Sequence, residues 1–148
     1  MPSSFDFARA PGHLIRRAQQ IAVAEFARTL VDFDITPVQF ALLNAVIDAP
    51  GVDQVTLAKA VAFDPATSGS VIGRLEAKGW LRREADGQDR RRKLLFVTPE
   101  GAQAVAQMSE GVSRVQKSIL APLSVQDQRL FLDLLARLVA GHEADPQP

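Results

Sequence analysis

Residues 53–79 read DQVTLAKAVAFDPATSGSVIGRLEAKG, and residues 80–97 continue WLRREADGQDRRRKLLFV. The first block holds two short helices back to back. Asp53 is a candidate N-cap for a helix over about Gln54 to Val61, with Val55, Leu57, Ala58 and Val61 expected on its buried face. Asp64-Pro65 caps and opens the next helix, which runs to Lys78 and stops at Gly79, with Val71, Ile72 and Leu75 facing the core. Only a few residues join the two, so they form a helix-turn-helix. The second block reads as two short strands, Trp80 to Glu84 and Lys93 to Val97, with an Asp86-Gly87 turn signal and a long charged tip between them. A hairpin placed behind a helix-turn-helix is a wing.

Upstream, His13 to Asp32 is helical by pattern, since Ile15, Ala18, Ala22, Phe26 and Leu30 recur at helical steps after a Pro11-Gly12 break. Thr36, Pro37 and Gln39 make a capping box for a second helix reaching Ile47 or Asp48, where Ala49-Pro50-Gly51 stops it. Downstream, Thr98-Pro99 opens a long helix to about Ile119. Val105, Met108, Val112, Val115 and Ile119 form a narrow seam on it, suited to packing against another helix. Pro122 interrupts, Ser124 caps again, and the last helix runs to about Ala140 with Phe131, Leu134, Leu135 and Leu138 on one face. The stretch from Glu143 to Pro148 reads as a frayed tail.

The expected fold is therefore mainly α with a small β-hairpin wing. Residues 1–35 are expected to form an N-terminal dimerisation helix. Residues 36–98 form a winged helix-turn-helix lobe, and residues 99–148 form C-terminal dimerisation helices.

Composition narrows the function. The 148 residues carry 17 Lys plus Arg against 17 Asp plus Glu, which excludes a globally basic coat protein. There is no cysteine, so disulfides, thiolate metal sites and thiol redox sensing are excluded. His13 and His142 are the two histidines, and they lie far apart in the sequence, so a metal site is not expected. The longest uncharged run, Ile35 to Ile47, is 13 residues, against about 20 for a membrane span. Asp6 and Arg9 argue against a signal peptide, so the protein is expected to be cytoplasmic and free of membrane.

The neutral total hides a polarity. Between Lys59 and Lys93 there are nine basic and five acidic residues, a local excess of four positive charges. Double-stranded DNA is the partner this suggests. The major groove admits one helix, read from its first turns. Ala66, Thr67 and Ser70 are small enough to approach, and the hydroxyls reach bases or phosphates. Free N–H groups at the helix start favour a phosphate. Arg74 lies one turn beyond Ser70. At the wing tip, Arg90 and Arg91 suit a narrow minor groove, with Asp89 placed to orient a guanidinium. Small residues equally suit tight packing, and a charged hairpin equally suits a solvated loop. The conjunction of paired helices, wing and local charge points to DNA.

These residues resemble the MarR (multiple antibiotic resistance regulator) family of bacterial transcription factors. The resemblance is carried by Leu57-Ala58-Lys59-Ala60, by Arg74 through Arg83, by Asp89-Arg90-Arg91, and by Phe96 through Gly101. It implies a winged-helix homodimer, with Ala66, Thr67 and Ser70 facing bases, Arg91 as the wing arginine and Asp89 as its partner. The chain departs from many relatives in having no Lys or Arg in the first two turns of the recognition helix. The opening around His13, Arg16 and Arg17 and the stretch from Thr36 to Leu43 resemble the branch that controls catabolism of aromatic acids such as nicotinate. No cofactor is implied beyond a small aromatic carboxylate as effector. Arg16 or Arg17 would supply its cation, His13 a donor, and Phe40 and Leu43 a sandwich for the ring. A ligand preferring another spacing of the recognition helices would release a pseudo-palindromic operator. The alternative is a winged-helix protein-interaction module without DNA readout. An enzyme is disfavoured: no G-x-S-x-G and no phosphate-binding glycine loop is present.

Overall fold

The computed structural model describes residues 5–62 and 64–144. Of the tail expected to fray, residues 145–148 lie outside the described residues. The elements run α1 (Pro11–Thr29), α2 (Pro37–Asp48), β1 (Val52–Asp53), α3 (Gln54–Ala60), α4 (Pro65–Ala77), β2 (Leu81–Ala85), β3 (Lys93–Val97), α5 (Pro99–Leu120) and α6 (Val125–Glu143). The fold is a winged helix-turn-helix flanked by long helices. Among the described residues no helix is long and apolar enough to cross a membrane.

Local chemistry places most boundaries. Thr36, Asp53, Asp64, Thr98 and Ser124 each accept the N–H three residues on, so five helices start where a capping side chain stands. At α2 the box is reciprocal: Gln39 N–H donates to Thr36 Oγ1 and Thr36 N–H donates to Gln39 Oε1, both at 3.2 Å. After α4, Gly79 takes the left-handed conformation at φ +77, which lets the chain turn into β2.

The wing is a three-stranded antiparallel sheet in the order β1-β3-β2. Leu81 pairs with Val97 and Ala85 with Lys93 across the hairpin. The two-residue β1 adds an edge, with Val52 opposite Leu95 and Asp53 opposite Leu94. The sequence reading omits β1, because two residues carry no alternation to read and their partner lies some 40 positions away.

One core joins the lobe to the flanking helices. Leu42, Leu43, Val46, Leu57, Ile72, Leu75, Leu95 and Met108 are all fully or almost fully buried in it. The α5 seam belongs to this core. Val105, Met108 and Val115 are buried there, Val112 and Ile119 pack against it, and α5 lies along α1. The seam is thus covered within the chain, with α1 as the helix it packs against. α6 is different: Phe131, Leu134, Leu135 and Leu138 are exposed, and no α6 residue is buried. Val55 also departs from expectation. It is 67% exposed, because the short α3 packs through Leu57 and Ala58 instead.

Two glycines give opposite expectations. A Cβ at Gly101 would run into the Trp80 carbonyl and Val97, where backbone cannot yield cheaply. Gly101→Ala is expected to cost at least about 2 kcal/mol by urea denaturation at fixed protein concentration. Gly73 lies inside α4 with no atom near its added Cβ. Gly73→Ala is expected to stabilise by ~0.5–1 kcal/mol in the same measurement.

Candidate nucleic-acid interface

α4 has a buried side and an exposed side. Ser68, Val71, Ile72 and Leu75 face inward, while Ala66, Thr67, Ser70 and Arg74 are exposed. Ser70 lies three and four residues from Thr67 and Ala66, and Arg74 four beyond Ser70, so the four share one helical stripe. The structure therefore brings these four candidate contacts together on solvent.

The first turn of α4 departs from expectation as an anion site. Asp64 caps it: Thr67 N–H donates to Asp64 Oδ1 at 2.9 Å, and Thr67 Oγ1 donates to Asp64 Oδ2 at 2.6 Å. The Thr67 hydroxyl bond, then the backbone bonds, hold the Asp64 carboxyl below its ordinary pKa. A negative charge therefore stands at the start of α4, which disfavours an anion there. Thr67 has its hydroxyl proton committed and is left as an acceptor.

At the wing tip the expected Asp89–guanidinium pair is replaced by a turn. Asp89 Oδ1 accepts the Arg91 N–H at 3.0 Å, and the Asp89 carbonyl accepts the Arg92 N–H at 2.9 Å. An aspartate bonding backbone two residues on is a short-range geometry that shapes the tip. Arg90 and Arg91 are exposed, and neither has an ion-pair partner among the described residues.

Arg92 does the pairing instead. Its Nη2 donates to Asp53 Oδ2 at 2.9 Å, and its Nη1 lies 3.7 Å from Asp86 Oδ2. The same Asp53 carboxylate caps α3 through the Thr56 N–H at 2.9 Å and the Thr56 hydroxyl at 2.6 Å. Those Thr56 bonds, followed by Arg92, hold the Asp53 carboxyl far below its ordinary pKa near 3.8. The wing is thereby tied to the helix-turn-helix. Sequence reading misses this brace because its two ends are 39 residues apart.

Pairing sorts the cations of the lobe. Arg82 pairs with Glu84 and lies over the Phe96 ring, and Arg83 pairs with Glu76 at 2.6 Å. Lys78 donates to the Phe33 and Asp34 carbonyls and sits over Trp80. With Arg92, that accounts for four of the nine basic residues between Lys59 and Lys93. Lys59, Arg74, Arg90, Arg91 and Lys93 remain exposed without an ion-pair partner among the described residues. All five acids of the segment are engaged: Asp64 by Thr67, Glu76, Glu84 and Asp86 by arginines, and Asp89 by backbone. The sequence reading selects Arg74, Arg90 and Arg91 from the free set and passes over Lys59 and Lys93.

The candidate effector residues are divided. His13 and Arg16 meet at 3.2 Å on the first turns of α1, and Phe7 stacks against His13 at 4.6 Å. Arg17 is exposed beside them. Phe40 is half-buried, with its ring 6.2 Å from that of Phe26. Leu43 is fully buried in the core and presents no surface for a ring to stack on. Its position one turn from Phe40 reflects packing. No hydrogen bond or ring contact joins the His13 group to Phe40 among the described residues.

A family model described as MarR family matches residues 33–92. The transcriptional regulator HosA of Escherichia coli is 32% identical over 127 residues, covering 86% of this chain and 93% of its own. Among solved structures, BpsR of Bordetella bronchiseptica superposes with a TM-score of 0.85 at 34% identity, over 91% of this chain and 96% of that one. Its DNA binding is regulated by 6-hydroxynicotinic acid. PcaV of Streptomyces coelicolor, solved with its natural ligand, gives 0.84 at 37% identity over 93% and 97%.

The Asp53 brace makes a signed pH expectation. A depressed folded-state pKa contributes stability that is full above the unfolded value near 3.8 and is lost as pH falls through the folded value. Asp53→Asn keeps a capping oxygen but loses the charge that Thr56 and Arg92 meet, and should be less stable than wild type by about 1 kcal/mol near neutrality. The gap should close progressively below about pH 4, as urea midpoints measured across pH 2–7 would record. A gap constant with pH would show that the carboxylate charge plays no part.

Proposed function

The chain belongs to the MarR family, and on that premise we propose a homodimeric DNA-binding transcriptional repressor released from its operator by a small aromatic acid. The observation that carries the reading is the sorting of charge. Every acid between Lys59 and Lys93 is engaged internally, while five cations on the recognition helix, α3 and the wing are left for phosphates. Ala66, Thr67, Ser70 and Arg74 enter the major groove. Arg90 and Arg91 reach the minor groove from the wing, and Asp89 shapes the turn that carries them.

The dimer follows from α6. Its apolar stripe through Phe131, Leu134, Leu135 and Leu138 is uncovered, and Leu14, Ile15 and Ile21 of α1 are also exposed. These side chains are already about half-buried, so covering each one contributes ~1 kcal/mol, and a second copy is the occupant that covers them together. Residues 1–35 and 99–148 are assigned to the interface and residues 36–98 to DNA. Two recognition helices then address a pseudo-palindrome. The α5 seam supports α1 from within rather than meeting the partner.

For the effector, His13, Arg16 and Arg17 offer donors and cations to a carboxylate, with Phe40 as the nearer apolar element. The regulation of BpsR by 6-hydroxynicotinic acid supports a ring-bearing acid as the class. The site of action is the cytoplasm.

Fluorescence polarisation with the DNA upstream of its own gene tests this directly. Affinity should exceed that for scrambled DNA by ~10³ or more and fall steeply with salt. Arg91→Ala should weaken both DNAs alike and reduce the log–log salt slope by about 1 per protomer. Adding 6-hydroxynicotinate or benzoate should weaken the complex about tenfold, equivalent to ~1.4 kcal/mol. Equal, weak binding to both DNAs would instead favour a protein-docking module.

A further inference from the structure

Asp34, between α1 and α2, takes the left-handed conformation at φ 47 and ψ 56. Few residues other than glycine are held that way, and such strain persists only where the surroundings fix it. Here an ammonium supplies the fixing. Lys78 Nζ donates to the Phe33 carbonyl at 3.1 Å and to the Asp34 carbonyl, so two successive carbonyls of the connection meet one cation. The same Nζ lies 4.7 Å from the centre of the Trp80 ring and 3.8 Å from the exposed Asp34 carboxylate. The Lys78 side chain is 23% exposed, which leaves little of it for DNA.

Lys78 is the C-cap of α4, whose packing is on α2, α3 and β2, all of them lobe elements. The connection it grips is anchored on its other side in the long helices. Leu30, just before it, is buried, and Gly111 of α5 makes room for it: a Cβ there would fall 2.7 Å from Leu30 Cδ2. Among the described residues, the hydrogen bonds that join α4 to this connection both come from Lys78. The stripe that faces DNA lies at the far end of α4. Ala66 is ~18 Å from Lys78 along the axis, so a tilt of about 5° at Lys78 moves it by ~1.6 Å. A shift of that size exceeds the tolerance of a hydrogen bond. We propose that Lys78 is a positioning residue: it sets the recognition helix against the dimer helices, and so fixes the half-site spacing that the dimer accepts, without itself touching DNA. This role rests on the dimeric DNA-binding reading above.

The test compares the full-length wild type, Lys78→Met and Lys78→Arg by fluorescence polarisation. The probes are three duplexes carrying the inverted repeat that the wild type enriches from a random-sequence library: one at the selected spacing, one with a base pair added between the half-sites and one with a base pair removed. Each such change turns one half-site by ~35° about the duplex axis. The wild type should bind either altered duplex at least about tenfold more weakly than the selected one. Lys78→Met keeps an apolar stem against Trp80 but loses the ammonium. It should bind the selected duplex about tenfold more weakly than the wild type does, and should lose no more than about threefold on the altered ones. Lys78→Arg keeps donors for both carbonyls and should restore the wild-type ratio. The log–log salt slope of Lys78→Met should equal that of the wild type, because no phosphate contact is removed. Circular dichroism melting checks that each variant is folded, and Lys78→Gln carries the same expectation should Lys78→Met not fold. A folded Lys78→Met that keeps the wild-type preference for spacing overturns the proposal and leaves the dimeric reading standing. A salt slope lower by about 1 per protomer also overturns it, by making Lys78 an ordinary phosphate contact. A wild type that enriches no repeat, or that accepts all three spacings equally, overturns the dimeric reading and this role with it.

Discussion

The carboxylate of Asp53 is the joint of the DNA-facing lobe. It lies in β1, where the chain pairs with β3, and it caps α3 through Thr56. It also receives Arg92 from the wing. Strand, helix and hairpin therefore share one anion. A wing is a two-stranded arm whose tip must stand at a fixed distance from the recognition helix. Free hairpins of this size are marginal in water. The third strand and the Asp53–Arg92 bond supply the missing constraint. Placing Arg90 and Arg91 depends on it.

Charge is organised by the same logic. A segment with nine basic and five acidic residues could have spent its cations on random surface pairs. Instead Arg82, Arg83 and Arg92 pair with acids at the hairpin base and across to α4 and β1. Lys78 fastens the end of α4 to the α1–α2 connection. The cations left over lie on α3, on the exposed stripe of α4 and on the wing. Asp64 sets a limit to this surface. Its negative charge caps the start of α4, so in the proposed complex the phosphates are left to the side chains around that terminus.

What was legible in the residues was local. Caps such as Thr36, Asp53 and Thr98 act over three positions, so their signals sit side by side in the chain. The exposed stripe of Ala66, Thr67, Ser70 and Arg74 follows from helical period alone. What escaped was set by distance or by competition. β1 exists because β3 accepts it. Arg92 finds an acid 39 residues away, while neighbouring Asp89, which looked like the arginine partner, is taken by the backbone beside it. The seam on α5 had the right period but could not reveal which helix would cover it. α1 of the same chain did so, and the uncovered face passed to α6. Leu43 shows the same ambiguity at a single position, since the spacing that suits a ligand sandwich also suits a core.

The exposed leucines of α6 and the unpaired cations of the lobe both find a use in the proposed dimer, two copies joined through their long helices, each presenting a recognition stripe and a wing. In-vitro selection from a random-sequence duplex library with the full chain tests this most directly. A two-fold dimer should enrich an inverted repeat whose half-sites are centred about one helical turn, ~10 base pairs, apart. Enrichment of a single asymmetric motif, or no enrichment above the starting library, would contradict it.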